Sequence, residues 1–187
     1  NDIEGLRVKN CLAEGNLESG FHFEWDPEKR DCILENCVSR NNGQKSYPTK
    51  PYQEDDTSTH YFGCGYYAPR GDITFVSCYS EENSQYGFYA TNGGKLYACV
   101  DRGVGAGKTD YRIIQPASFY AAPTRSIAPS LILENCSSID SNGYGLHIDF
   151  ASDVRIVNFH LENPAGIDGK ATNLGGSQGG PLTNSVV

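Results

Sequence analysis

Two of the histidines, at equivalent positions of the chain's repeat, each stand two residues before a carboxylate, a spacing that could support acid–base chemistry. The first is His22 with Glu24, which Asp26 follows at the same interval, and the second is His147 with Asp149. Residues two apart in a β-strand share one face, so each stretch would present imidazole and carboxylate together. Such groups serve general acid–base catalysis and, with a second carboxylate, cleavage of glycosidic bonds. An ordinary solvated strand face would carry the same residue types.

The strands that would position these residues belong to an internal repeat. Five segments align without gaps on one column, formed by Cys11, Cys37, Cys78, Cys136 and Phe159. Apolar residues stand three and five positions before this column, and asparagine usually stands directly before it. Alternation with a period of two predicts a strand, and asparagine predicts the turn that ends it. If Cys99 opens a weaker repeat, the basic coil is about 21–26 residues long, which is a solenoid period.

A further strand follows later in the repeat, and it carries the candidate chemistry. His22, Tyr89 and His147 occupy its same outward position in three coils. Insertions near 44–60 and near 101–125 would enter just before this strand and flank its outer face. Stacking of such coils predicts an all-β solenoid of about six to seven coils over residues 1–170, with a Gly/Ser/Asn-rich linker at 171–187.

Stacking also explains the odd number of cysteines without disulfides. The cysteine column would fill the interior as small unpaired side chains, and the asparagine column would pair amide to amide at the corner. The sequon Asn135-Cys136-Ser137 is therefore expected to be buried and unglycosylated. Open strand edges invite pairing, so a second copy or a neighbouring domain is expected to cover the solenoid ends.

The Asn-Cys corners, Asn41-Asn42-Gly43 and the Ser-Asn-Gly-Tyr-Gly string at 141–145 resemble the right-handed parallel β-helix repeats of the pectate-lyase-like superfamily, over about residues 3–168. The resemblance implies a right-handed parallel β-helix in an extracellular or cell-surface protein that binds a polysaccharide in a groove on an outward strand face. Cleavage of glycosidic bonds by hydrolysis is favoured over elimination. Two alternatives stay open: a uronate C5-epimerase on the same groove, and a non-catalytic carbohydrate-binding or spacer module.

The string from Gly20 to Glu28 is also similar to the aromatic-Asp-Pro-acid stretch of alginate epimerases, although Glu28 stands where that family has histidine. Coils stack about 4.8 Å apart, so Glu24 on the first coil and Asp149 on the fifth would lie roughly 19 Å apart. Cooperating carboxylates lie at most about 9.5 Å apart. Two separate catalytic clusters are therefore expected: His22, Glu24 and Asp26 with Arg70, and His147 with Asp149.

Aromatic and basic side chains are the candidates for substrate binding, because aromatic faces stack on sugar rings and arginine pairs with carboxylate or sulfate. They are Trp25, Tyr66, Tyr67, Tyr89, Arg102, Arg112 and Arg125.

Composition narrows the partners. The chain has 15 Lys and Arg residues and 23 Asp and Glu residues, which gives a net charge of −8. This charge argues against binding to nucleic acid or to an anionic membrane surface. No apolar run reaches the roughly 18 residues of a transmembrane helix. Clustered acids at Glu54-Asp55-Asp56 and Glu81-Glu82 could bind Ca²⁺, and no other cofactor or metal site is expected.

Overall fold

The repeat in the sequence corresponds to a coil of three short strands. The computed structural model describes residues 5–23, 31–43, 63–69, 73–90, 94–105, 116–121, 130–148, 153–167 and 170–174. Each strand pairs in parallel with the strand at the same position of the next coil, and this gives three sheets of six strands. The fold is a right-handed parallel β-helix of six coils, as the sequence predicts. Within these ranges the chain forms no α-helix, and no segment is a candidate membrane-spanning helix.

The three sheets take one strand each from every coil. Sheet 1 contains β1 (Arg7–Lys9), β4 (Cys32–Glu35), β7 (Ile73–Val76), β10 (Gly94–Tyr97), β13 (Ser130–Glu134) and β16 (Asp153–Val157). Sheet 2 contains β2 (Leu12–Glu14), β5 (Val38–Arg40), β8 (Tyr79–Glu81), β11 (Val100–Arg102), β14 (Ser137–Ile139) and β17 (His160–Glu162). Sheet 3 contains β3 (Phe21–His22), β6 (Tyr66–Ala68), β9 (Tyr86–Ala90), β12 (Ala117–Ala121), β15 (Tyr144–Ile148) and β18 (Thr172–Leu174).

The turn between sheets 1 and 2 requires a left-handed backbone, which asparagine tolerates better than most residues. φ angles of 51° to 55° occur at this corner in every coil, at Asn10, Asn36, Ser77, Ala98, Asn135 and Asn158. Asn158 Nδ2 donates a hydrogen bond to Asn135 Oδ1 at 3.0 Å, so the expected amide pairing occurs there. The expected burial of the sequon is wrong, because the corner points outward and Asn135 is exposed.

The cysteine column lies inside the solenoid and is unpaired, as predicted. Cys37, Cys78, Cys99 and Cys136 are at most 1% exposed and all are free thiols, whereas Cys11 on the first coil is exposed. Burial raises the pKa of the Cys37 and Cys99 thiols, whereas hydrogen bonding with Cys99 lowers the pKa of Cys78 and of Cys136. All four thiols are closed off from solvent, and a reactive cysteine needs to be accessible. The column therefore fills space.

An aromatic stack runs through the interior beside sheet 3. The rings of Phe21, Tyr66, Phe88 and Phe119 follow one another with centroid distances of 5.1, 4.7 and 5.1 Å and lie within 7° of parallel. Such ring pairs add about 0.5–1.5 kcal/mol beyond the apolar area that they bury. The stack fixes the register of sheet 3, and it thereby fixes which side chains of that sheet face outward.

Two long connections enter sheet 3, between β5 and β6 and between β11 and β12, as the sequence predicts. The second is shorter than expected, because Ala117–Ala121 forms β12 inside the range assigned to the insertion. The solenoid also runs beyond residue 170, since Thr172–Leu174 pairs with β15.

Candidate functional site

The outer face of sheet 3 carries one row of side chains that repeats in every coil. Strand pairing places His22 beside Tyr67, Tyr67 beside Tyr89, and Tyr89 beside Tyr120. The row continues through His147 to Asn173. Inward neighbours alternate with this row, so its side chains point away from the solenoid interior.

Adjacent rings of the row touch one another. Ring centroids lie 4.7 Å apart for His22 and Tyr67, 5.0 Å for Tyr67 and Tyr89, 5.0 Å for Tyr89 and Tyr120, and 5.0 Å for Tyr120 and His147. The two histidine contacts are edge-on. The result is a continuous aromatic ridge along the solenoid, which we call the aromatic row.

A second set of side chains, Cys64, Tyr86, Ala117 and Tyr144, packs beside this row on sheet 3. Tyr86 stacks on Tyr120 at 4.4 Å, and Tyr144 meets the His147 ring at 4.9 Å. Burial raises the pKa of the Cys64 thiol, so Cys64 is neutral near pH 7 and serves as packing. These side chains therefore form a small, packed aromatic cluster on the outer face of sheet 3.

Accessibility changes along the row and is greatest on the first coil. His22 is exposed and Tyr67 is half-buried. Tyr89, Tyr120 and His147 are only 2%, 8% and 6% exposed. The prediction that Tyr89 contacts substrate is therefore wrong, because almost none of its surface can be reached. A ligand on this face can contact His22 and Tyr67.

Tyr66 and Tyr67 are neighbours in sequence but have different roles. Tyr66 is fully buried in the interior stack, and its hydroxyl donates to the backbone carbonyl of Cys37 at 2.6 Å. The prediction of Tyr66 as a substrate-binding residue is wrong for this reason. Tyr67, the other predicted substrate-binding residue of this pair, faces outward beside His22.

His147 lies on the outward face, as predicted, but its surroundings differ from those of His22. Asn173 Nδ2 donates to His147 Nε2 at 3.0 Å, and the rings of Tyr120 and Tyr144 meet the imidazole. The imidazole is therefore held in place by its neighbours, and it is less accessible than the imidazole of His22.

Arg102 does not contribute to this face. It ends β11 in sheet 2, where it is exposed and pairs with Asp140 at 3.3 Å. Arg102 therefore lies in β11 and not in the insertion to which the sequence assigned it, and its binding of substrate stays a prediction.

The remaining candidates lie outside the described residues: Glu24, Trp25, Asp26, Arg70, Arg112, Arg125 and Asp149. The acidic string 54–56 proposed for Ca²⁺ lies outside as well. Within the described ranges, no group of three or more His, Cys, Asp or Glu side chains could hold a metal ion. Glu81 in sheet 2 accepts a hydrogen bond from the Tyr79 hydroxyl at 3.3 Å.

Sequence reasoning missed part of this face, namely Tyr86, Tyr120, Tyr144 and Asn173. A signal for Tyr120 was present, since Ser118-Phe119-Tyr120-Ala121 repeats the in-out pattern of Gly87-Phe88-Tyr89-Ala90. The insertion before β12 displaced this strand from the expected spacing.

No family model, no curated protein and no solved structure matches this chain. The fold therefore rests on the strand pairing itself, and a β-helix alone does not specify an activity. The aromatic row is the feature of this fold that bears on function.

Proposed function

We propose that this chain is a carbohydrate-active β-helix of the pectate-lyase-like type that binds an extracellular polysaccharide at the His22–Tyr67 end of the aromatic row and hydrolyses its glycosidic bonds. One observation carries the proposal: the row crosses five of the six coils of sheet 3, and it is open to solvent at its first coil. Rings that point outward and are fixed by their neighbours offer an apolar platform to a sugar at little entropic cost.

The catalytic groups of the proposal are the carboxylates that follow β3. Phe23 points into the core, and its backbone N–H donates to the Tyr67 carbonyl at 2.8 Å. The alternation that directs His22 outward and Phe23 inward would direct Glu24 outward again. Glu24 and Asp26 would then act as acid and as base or nucleophile, the pair that glycoside hydrolysis requires.

The test is release of reducing ends from a panel of acidic and neutral polysaccharides, read together with ultraviolet absorbance. Hydrolysis predicts new reducing ends without absorbance. Glu24→Gln and Asp26→Asn should each lower the rate by at least about 100-fold, since general acid–base groups contribute about 10²–10⁴-fold. Glu81→Gln on sheet 2 is the matched control and should leave the rate unchanged. Full turnover in both Glu24→Gln and Asp26→Asn would refute this assignment.

One observation favours a second candidate, a non-catalytic carbohydrate-binding or spacer module. Within the described part of sheet 3, the outward row consists of histidine, tyrosine and asparagine and holds no carboxylate. This candidate predicts retention of a polysaccharide without cleavage. His22→Ala should then weaken retention while His160→Ala on sheet 2 does not. Absorbance at new chain ends would indicate elimination instead, and an altered uronate without cleavage would indicate epimerisation.

A further inference from the structure

Among the residues that the structure describes, a single carboxylate lies inside the solenoid, within a row that is otherwise built from small or neutral side chains. Strand pairing in sheet 2 aligns Ser39 with Ser80, Ser80 with Asp101, and Asp101 with Ser138. All four residues are 0% exposed. Asp101 is therefore a buried acid at a position where neighbouring coils have serine.

The missing partner of Asp101 can be identified by comparing coils. Asn42 Nδ2 donates to Ser39 Oγ at 3.0 Å, and Asn83 Nδ2 donates to Ser80 Oγ at 2.9 Å. The equivalent residue three positions after Asp101 is Val104, which is fully buried and has no donor in its side chain. Neither carboxyl oxygen of Asp101 forms a hydrogen bond of good geometry.

The Asp101 carboxyl lies against the strands that carry the aromatic row. A Cβ atom at Gly87 in β9 would fall 2.3 Å from Asp101 Oδ1, so the carboxyl occupies the space that a side chain would need there. The Ser118 hydroxyl in β12 lies on the same side and hydrogen-bonds Ser138 at 2.7 Å. Gly87 stands next to Tyr86, and Ser118 lies two residues before Tyr120.

Burial is the main influence on the pKa of the Asp101 carboxyl. It raises the pKa of Asp101 to about 7, although Ser80, Ser118 and the backbone N–H of Val104 favour the charged form. The residues that face the carboxyl from β8, β9, β12 and β14 are serines and a glycine, none of them titratable. Glu81 and Arg102 belong to the outer face of sheet 2. The pKa of Tyr79 is raised first by burial and then by Glu81, with a smaller contribution from Asp101.

We propose that Asp101 is a pH-sensitive latch beneath the aromatic row: the protonated carboxyl allows β9 and β12 to close over it, and loss of its proton loosens these two strands. A fully buried carboxylate whose oxygens form no hydrogen bond of good geometry is costly even beside serine hydroxyls, and opening of the nearest strands admits water to it. The inference goes beyond the proposed function and does not require it.

The sign of the pH dependence follows from proton binding. An unfolded Asp loses its proton near pH 4, whereas the buried one keeps it up to about pH 7. The folded state thus binds more protons between these values, and its stability falls as pH rises through this window. Below this pH window the contribution of the Asp101 proton to stability is fully present, and above the window that contribution is completely lost.

The test is amide hydrogen exchange of the intact chain at pH 5.5 and 7.5, corrected for intrinsic rates. Protection of residues 86–90 and 117–121 should fall about twentyfold between these pH values, and protection of 73–76 and 131–134 in sheet 1 should fall less. Asp101→Asn should remove the dependence. Val104→Asn supplies the donor present in the second and third coils, and should move the transition to lower pH. Asp31→Asn, at an exposed carboxylate, should behave like the wild type.

Any one of three results would overturn the latch. Protection from exchange could be independent of pH in the wild type, or the Asp101→Asn variant could keep the pH dependence of protection. Protection could also fall equally in sheets 1 and 3. If Asp101→Asn does not fold, carbon-13 titration of the Asp101 carboxyl in the wild type decides, and a midpoint below pH 5 would refute the proposal. No readout uses a polysaccharide, so failure of the latch is distinguishable from failure of the proposed function.

Discussion

The two sides of the solenoid interior are stabilised by different interactions. Between sheets 1 and 3 the interior consists of apolar side chains such as Leu34, Phe75 and Phe88. Along sheet 2 it consists mainly of buried serine and asparagine, with Asp101 in the fourth coil. Stacked apolar side chains are stabilised by burial alone, so neighbouring coils can carry different apolar residues at the same position. Polar stacking is stable only when each donor meets an acceptor, so one substitution can leave a group without its partner.

The asparagine ladder shows how the polar side satisfies this requirement. Asn16 Nδ2 donates to Asn42 Oδ1 at 2.8 Å, and Asn42 Nδ2 donates to Asn83 Oδ1 at 2.9 Å. The same acceptors also receive the backbone N–H groups of Asn16 and Asn42. The ladder ends at Val104, in the coil that holds Asp101, so the carboxyl lacks the amide donor that Asn42 and Asn83 supply to Ser39 and Ser80.

The largest effect is expected on the apolar side. Phe75→Ala should lower the free energy of unfolding by about 3–5 kcal/mol, because it removes a fully buried ring and leaves a cavity. Chemical denaturation measures this change. Tyr97→Ala, on the outer face of the neighbouring strand of sheet 1, is the control and should cost far less. Similar losses of stability in Phe75→Ala and Tyr97→Ala would contradict the expectation that burial of apolar side chains stabilises this side of the interior.

An intermediate effect is expected on the polar side. Asn42→Ala should cost about 1–3 kcal/mol, because the acceptor of Asn83 and the amide of Asn16 lose their partner. The double variant Asn42→Ala with Asn83→Ala should cost less than the sum of the single changes, since both remove one shared hydrogen bond. Additive losses would show that the two amides act independently.

The smallest effect is expected on the outer surface. Arg40 pairs with Glu14 at 2.9 Å, and both side chains are more than 40% exposed. Arg40→Ala should change the free energy of unfolding by about 0–1 kcal/mol, as surface ion pairs do. The effect should shrink in 1 M salt, where the screening length is about 3 Å. A larger, salt-independent loss would indicate that the aliphatic part of Arg40 packs on the sheet.

The sequence was sufficient to predict what repeats in every coil. The cysteine column, the left-handed corner and the outward position of His22 recur at fixed intervals, and stacking makes each recurrence a contact. Departures from the repeat were less predictable. Tyr120 was displaced by an insertion, and Arg102 was assigned to a loop because nothing local marks where β11 ends.

Burial of the outer face was also beyond sequence reasoning. Tyr89 and His22 hold the same position in their coils, yet one is buried and the other exposed. Likewise, the surroundings of Asp101 depend on Val104, three residues away, and on Gly87 and Ser118 in other strands. Alternation assigns a side chain to a face, but it does not determine what else packs on that face.

The charges on the first and last coils have a consequence for assembly. β1 and β16 are the edge strands of sheet 1, and β2 and β17 are those of sheet 2. If one copy stacked in register on the end of another, Arg155 would lie beside Arg7, and Glu162 beside Glu14. Like charges directly opposite one another destabilise strand pairing. Growth of the described solenoid into an end-to-end fibre of identical copies is therefore opposed at two positions in every junction.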